Sequence, residues 1–125
     1  MKDKHQKFYY CEVCGNICGL IEDSGVPLYC CNEEMKCLKA DESANKEKHT
    51  PDVYVDGKDI MVKLSHPMDD DHKIDWVYIE TNRGGQRKRL VGSQEPTAVF
   101  CMAPNEEPVK AFAYCNKHGL WSVNI

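Results

Sequence analysis

Eight cysteines in 125 residues constrain this chain more than any other feature. Their meaning depends on compartment and spacing. The opening residues 1–7 are too polar for a secretory signal, so the expected compartment is the cytoplasm, where thiols stay reduced. Cys11-Glu12-Val13-Cys14 is a C-x-x-C pair, and Cys30 and Cys31 are adjacent. Adjacent cysteines bridge each other poorly, because the small ring strains the intervening peptide. Both can nevertheless face one metal. Two thiolate pairs separated by about 16 residues have the layout of a tetrathiolate zinc or iron site.

Length and charge narrow the rest. Hydrophobic residues make up 42% and charged residues 29%, enough apolar content to fold. The formal net charge of −4 argues against nucleic acid and against anionic membrane surfaces as partners. No apolar run approaches the roughly 20 residues needed to cross a bilayer.

The chain divides in two. Residues 1–38 are cysteine-dense and short, with Gly15 and Ser24-Gly25 marking turns and residues 17–21 and 27–29 as candidate strands. A module below about 40 residues rarely buries enough apolar surface to fold unaided, so a bound metal is expected to hold it. Residues 39–48 lack apolar periodicity and read as a linker. Residues 49–125 are predominantly β. The runs at 53–55 and 60–64 flank Asp56-Gly57, a hairpin signal. Further strands are expected at 74–80, 97–102, 109–115 and 120–124, separated by Asn82, Gly84-Gly85, Pro104-Asn105 and Pro108. The expected fold class is all-β, a small metal-held domain followed by a β-sandwich. Arg83, Arg87, Lys88 and Arg89 around Gly84-Gly85 read as a solvated hairpin tip. The sharper alternative is a docking patch for an acidic electron donor.

Four of the five histidines, His49, His66, His72 and His118, lie in or beside the β domain. Taken singly, each reads as a surface or hydrogen-bonded residue. Cys115-Asn116-Lys117-His118 is more suggestive, because a C-x-x-H turn at a strand end lets a thiolate and an imidazole reach one metal.

Taken together, these motifs carry a family resemblance. Cys11-x-x-Cys14-Gly15-Asn16-Ile17 followed by Leu28-x-Cys30-Cys31 resembles the desulforedoxin-type N-terminal domain. Glu47-Lys48-His49, His66-Pro67-Met68-x-x-x-His72-x-Ile74-x-Trp76 and Cys115-Asn116-x-His118-Gly119-Leu120-Trp121 resemble the catalytic motifs of desulfoferrodoxin-type superoxide reductases, in family order. The resemblance implies an immunoglobulin-like catalytic domain and two iron ions per chain. One would be held by Cys11, Cys14, Cys30 and Cys31. The other would be held by His49, His66, His72 and His118 in a plane, with Cys115 as the axial thiolate and the opposite position open. It further implies one-electron reduction of superoxide to hydrogen peroxide, with re-reduction by an external donor such as rubredoxin. Lys48 would attract the anion, and Glu47 would help displace product. A homodimer is expected, from the resemblance and from the undersized first domain.

The chain departs from the family in places. Asn32 stands where the family often has glycine, and Cys18, Cys37 and Cys101 match no ligand position. These three read as buried or free thiols, although Cys14-x-x-x-Cys18 could itself be a metal pair. Zinc would fill the four thiolates as well as iron does. Trp76 and Trp121 read as core packing rather than an electron relay. Besides the reductase, two other classes stay open: an electron carrier or metal store, and a zinc-stapled interaction module.

Overall fold

The computed structural model describes residues 5–40, 51–69, 71–90 and 95–125. The expected positions Glu47, Lys48 and His49 lie outside the described residues. The chain separates into two compact units, Met1–Lys39 and Ala40–Ile125. All regular structure among the described residues is β, and no helix there is long and apolar enough to cross a membrane.

The first unit holds β1 (Phe8–Tyr10), β2 (Ile17–Gly19), β3 (Tyr29–Cys30), β4 (Glu33–Glu34) and β5 (Lys36–Leu38). Strand β1 lies between β2 and β5, antiparallel to both, and β3 pairs with β4. Strands β1, β4 and β5 carry no alternating pattern long enough to stand out in the sequence, and β2 and β3 are shorter or shifted relative to the expected runs. Among the described residues of this unit only Phe8, Cys11 and Met35 are buried, while Ile21 is 98% exposed. So small an apolar interior stabilises little by itself.

The second unit is a β-sandwich. One sheet contains β6 (Asp52–Asp56), β7 (Asp59–Lys63) and β10 (Thr97–Cys101) in the order β10-β7-β6. The other contains β8 (Ile74–Thr81), β9 (Gly84–Arg89), β11 (Pro108–Cys115) and β12 (Gly119–Asn124) in the order β12-β11-β8-β9. All pairings are antiparallel. Inward residues of both sheets form one core, with Ile60, Val62, Ala98 and Phe100 from the first facing Val77, Ile79, Ala111 and Ala113 from the second. Each fully buried large apolar side chain contributes about 1.5–3 kcal/mol by leaving water.

The Asp56-Gly57 signal is realised one residue later than its sequence suggests. Asp56 pairs with Asp59, so Gly57-Lys58 is the two-residue loop, and Gly57 takes φ +61°. The expectation of a hairpin tip at Gly84-Gly85 is corrected by β9. The turn is Asn82-Arg83, and both glycines belong to the strand, opposite Thr81 and Glu80. Gly84 has φ +144°. A Cβ on Gly85 would overlap the Tyr78 ring, so this glycine serves a neighbouring aromatic rather than a bend. Arg87, Lys88 and Arg89 are therefore residues of an edge strand, and the Lys88 ammonium lies 5.9 Å from the centre of the Phe100 ring. Charge on an edge strand discourages strand addition by another chain.

Candidate metal centres

The first cluster is assembled by two tight turns. After β1, Gly15 N–H donates to Cys11 C=O and Cys11 N–H donates to Asn16 C=O, both at 2.9 Å. Gly15 takes φ +86°, which closes this loop and brings Cys11 and Cys14 to one side. The second pair sits on the β3–β4 hairpin. Cys30 pairs with Glu33, leaving Cys31-Asn32 as its two-residue loop, with φ +54° and +61°. Positive φ at both loop positions is the type I′ pattern, whose handedness suits a twisted hairpin. Asn32 is thus explained where a glycine was expected, because asparagine tolerates the left-handed region better than other side chains. Cys31 has no such tolerance, and its conformation costs about 1–2 kcal/mol.

The sulfurs of Cys11, Cys14, Cys30 and Cys31 all lie within 4.8 Å of one another. Cys14 Sγ and Cys30 Sγ are 3.6 Å apart, and Cys30 Sγ and Cys31 Sγ are 3.9 Å apart. Sulfurs bound tetrahedrally at about 2.3 Å are separated by about 3.8 Å, so the spacing fits one thiolate-bound metal. The acid–base chemistry agrees. The backbone N–H of Cys14, followed by that of Val13, lowers the Cys11 thiol from 9.0 to about 7. Cys31 is pushed up to about 12, first by its hydrogen bond with Cys14 and then by that with Cys30, which favour the protonated thiol. Four such groups ionise together only around a cation. Asn16 Nδ2 donates to Cys30 Sγ at 3.7 Å.

Cys18 and Cys37 stand opposite Tyr9 on β2 and β5, and Cys101 ends β10. None of the three belongs to a metal-binding group among the described residues, so the Cys14–Cys18 alternative is not realised. Of the two alternatives for these three, free thiols hold: Cys18 is half-buried, and Cys37 and Cys101 are exposed. All eight cysteines are free thiols rather than disulfides.

The second cluster lies at one end of the sandwich and draws on both sheets. His66 follows β7, His72 precedes β8, Cys115 ends β11, and His118 closes the turn into β12. Two backbone irregularities aim these residues together. Register slips between Tyr114, opposite Trp76, and Cys115, opposite Ile74, so a bulge at Asp75 shifts the end of the ladder. Cys115 pairs with Gly119 across the loop Asn116-Lys117-His118, and Gly119 takes φ +85°. Gly119 is the first residue of β12, and its left-handed backbone lets the chain leave this three-residue loop into the strand.

One ligand atom from each of His66, His72, Cys115 and His118 falls within 4.8 Å of all the others. His72 Nε2 and His118 Nδ1 are 3.2 Å apart, and Cys115 Sγ lies 3.6 Å from His118 Nδ1. Two nitrogens bound to one metal at about 2.1 Å are separated by roughly 3.0–3.4 Å, and a nitrogen and a sulfur by roughly 3.1–3.6 Å, depending on the angle. His66 Nδ1 donates to Pro67 C=O at 2.7 Å, which fixes the tautomer and leaves Nε2 with the lone pair. The His66 and His72 rings meet nearly edge-on, as do those of His72 and His118, at 4.7 and 4.9 Å between centres. Cys115 is fully buried, whereas His118 is exposed, so the set has a closed side and a side open to water. The donor types and spacings fit a metal of borderline or soft character.

Comparison with known proteins decides the family. Residues 41–124 match the family described as desulfoferrodoxin, and residues 3–38 match the desulfoferrodoxin N-terminal domain. The chain belongs to the desulfoferrodoxin family. A desulfoferrodoxin homolog of Archaeoglobus fulgidus is 37% identical over 117 residues, covering 90% of this chain and 92% of that one. A desulfoferrodoxin of Syntrophotalea carbinolica is 36% identical over 118 residues, covering 91% and 92%. The crystal structure of the superoxide reductase from Treponema pallidum aligns with a TM-score of 0.80 at 28% identity, covering 96% of this chain and 98% of that chain. Desulfoferrodoxin membership thus spans both units, the tetrathiolate cluster in one and the His3Cys cluster in the other.

Proposed function

We propose that this chain is a superoxide reductase. One electron and two protons convert superoxide to hydrogen peroxide, and the electron comes from an external donor. The observation that carries this reading is the convergence of three imidazoles and one buried thiolate at a solvent-reachable end of the sandwich, in a member of the desulfoferrodoxin family. A tetrathiolate alone would support a structural or electron-carrying role, because closed coordination leaves no position for substrate.

His66, His72, Cys115 and His118 hold the second metal, with His49 as a further imidazole, and Cys11, Cys14, Cys30 and Cys31 hold the first. We assign iron to both. Iron at the second site supplies a one-electron ferrous/ferric couple matched to a one-electron substrate. The protein's contribution is positional and electrostatic. Cys115 brings an electron-rich sulfur out of the apolar core, a lever that raises electron density at a metal. The Pro67 carbonyl holds His66 in the tautomer that presents Nε2. His118 lies open to water, so a small anion and its protons reach this side. Lys48 draws superoxide toward a chain whose overall charge of −4 repels it. Glu47 assists product departure. The donor is a small reducing protein such as rubredoxin, and the chain acts as a cytoplasmic homodimer.

Metal content and the visible spectrum of anaerobically prepared protein test the assignment. Two irons per chain are expected, with thiolate-to-iron bands from both clusters. Zinc alone, or one metal per chain, would refute it.

A further inference from the structure

The side chain of Asn116 does something its sequence position does not advertise. It lies in the exposed three-residue loop after Cys115, where asparagine is ordinarily a solvated turn residue. Here its Oδ1 accepts from Lys73 N–H at 2.9 Å, and its Nδ2 donates to Asp71 C=O at 2.9 Å. Its own N–H donates to Lys73 C=O at 3.2 Å. These bonds bracket His72 on both sides, from a position more than 40 residues away in the chain.

The segment they grip needs such support. Strand β8 begins at Ile74, so residues 71–73 have no regular strand ladder. The bulge at Asp75 interrupts the β8–β11 register just where the ladder would have to continue. Asn116 takes over beyond it, its amide group standing in for one peptide unit with a donor and an acceptor. Asp69 N–H also donates to His72 C=O at 3.0 Å, a local turn within the loop. An aspartate would lose the donor, and an alanine would lose both groups.

We propose that Asn116 is a positioning residue that holds the His72 imidazole against the metal site. It does not touch the metal or the substrate. The inference rests on reading His66, His72, Cys115 and His118 as one metal site, and it holds whatever reaction that site performs. Fixing a ligand from behind is worth about 10–100-fold in metal affinity.

The test is cobalt(II) titration of the full chain under anaerobic conditions, followed by the thiolate-to-cobalt and ligand-field bands. Cys115→Ser identifies the bands of the second site, and the tetrathiolate bands serve as an internal control. Asn116→Ala is expected to weaken cobalt binding at the second site by about 10-fold or more. It should also shift that site's ligand-field bands toward those of His72→Ala while leaving the tetrathiolate bands unchanged. In a His72→Ala background, adding Asn116→Ala should produce no further loss. Wild-type affinity in Asn116→Ala, or an equal loss with and without His72, would overturn the proposal. A wild-type chain with no Cys115-dependent cobalt band would instead overturn the site on which it rests.

Discussion

Gly119 offers a direct test of how the second cluster is held. It pairs with Cys115 and takes φ +85°, and a Cβ built there meets nothing within 4 Å. Gly119→Ala therefore introduces no clash, and its effect comes from the backbone alone. A non-glycine residue in the left-handed region costs about 1–2 kcal/mol. Alanine also restricts the unfolded chain, which offsets about 0.4–1 kcal/mol of that. The net is a destabilisation of about 1 kcal/mol, or a melting shift of about 4–8 °C for a unit of this size. The chain can relieve the strain only by rotating the loop that carries His118, so metal affinity at the second site should fall about fivefold for each 1 kcal/mol relieved in this way. The assay is urea unfolding of the metal-free protein beside cobalt titration of the second site. Gly119→Asn should recover much of both losses, because asparagine tolerates positive φ. If Gly119→Ala matched wild type, or if asparagine were no better than alanine, the turn would not be what aims His118.

Three further outcomes follow from the same geometry. Gly85→Ala acts by overlap rather than by backbone strain, since its Cβ would meet the Tyr78 ring. It should cost about 1–3 kcal/mol in urea unfolding, and Tyr78→Ala in the same chain should remove most of that increment. Cys115→Ser should abolish superoxide reduction, whereas Cys30→Ser should remove the tetrathiolate spectrum and leave reduction by the second site largely intact in stopped-flow assays. Glu106 accepts from the Thr81 hydroxyl at 2.7 Å and from Ala103 N–H at 3.1 Å, and these bonds hold its carboxyl below the ordinary 4.5. A lowered folded-state value stabilises the protein above about pH 4.5 and ceases to do so as pH falls through that lower value. Glu106→Gln should accordingly be less stable than wild type at neutral pH and converge with it in acid, as followed by urea midpoints.

Much of this molecule was legible where the signal is local. The two cysteine pairs, the Asp56-Gly57 hairpin and the long strands around Ile79 and Ala113 each declare themselves within a few residues. Strands β1, β4 and β5 did not, because two or three residues show no period and are defined only by their partners. Gly84-Gly85 misled for a different reason: glycine marks both turns and places where a neighbour needs room, and the Tyr78 ring that explains Gly85 comes from another strand. The second cluster was legible as a set of motifs, not as geometry. His66 hangs from one sheet and Cys115 from the other, and no spacing rule brings them within reach of each other. The clamp by Asn116 was hidden for the same reason, since its partners Asp71 and Lys73 lie in the loop before a different strand, beyond a bulge.

The central claim is reduction of superoxide without dismutation, and pulse radiolysis of the ferrous protein tests it most directly. A measured dose of superoxide, with hydrogen peroxide and dioxygen both quantified, separates the two reactions. Reduction predicts one peroxide for each superoxide consumed, oxidation of one ferrous site, and no dioxygen from the protein reaction. Dioxygen formed in step with peroxide, with the iron returning to its starting state without a donor, would contradict it.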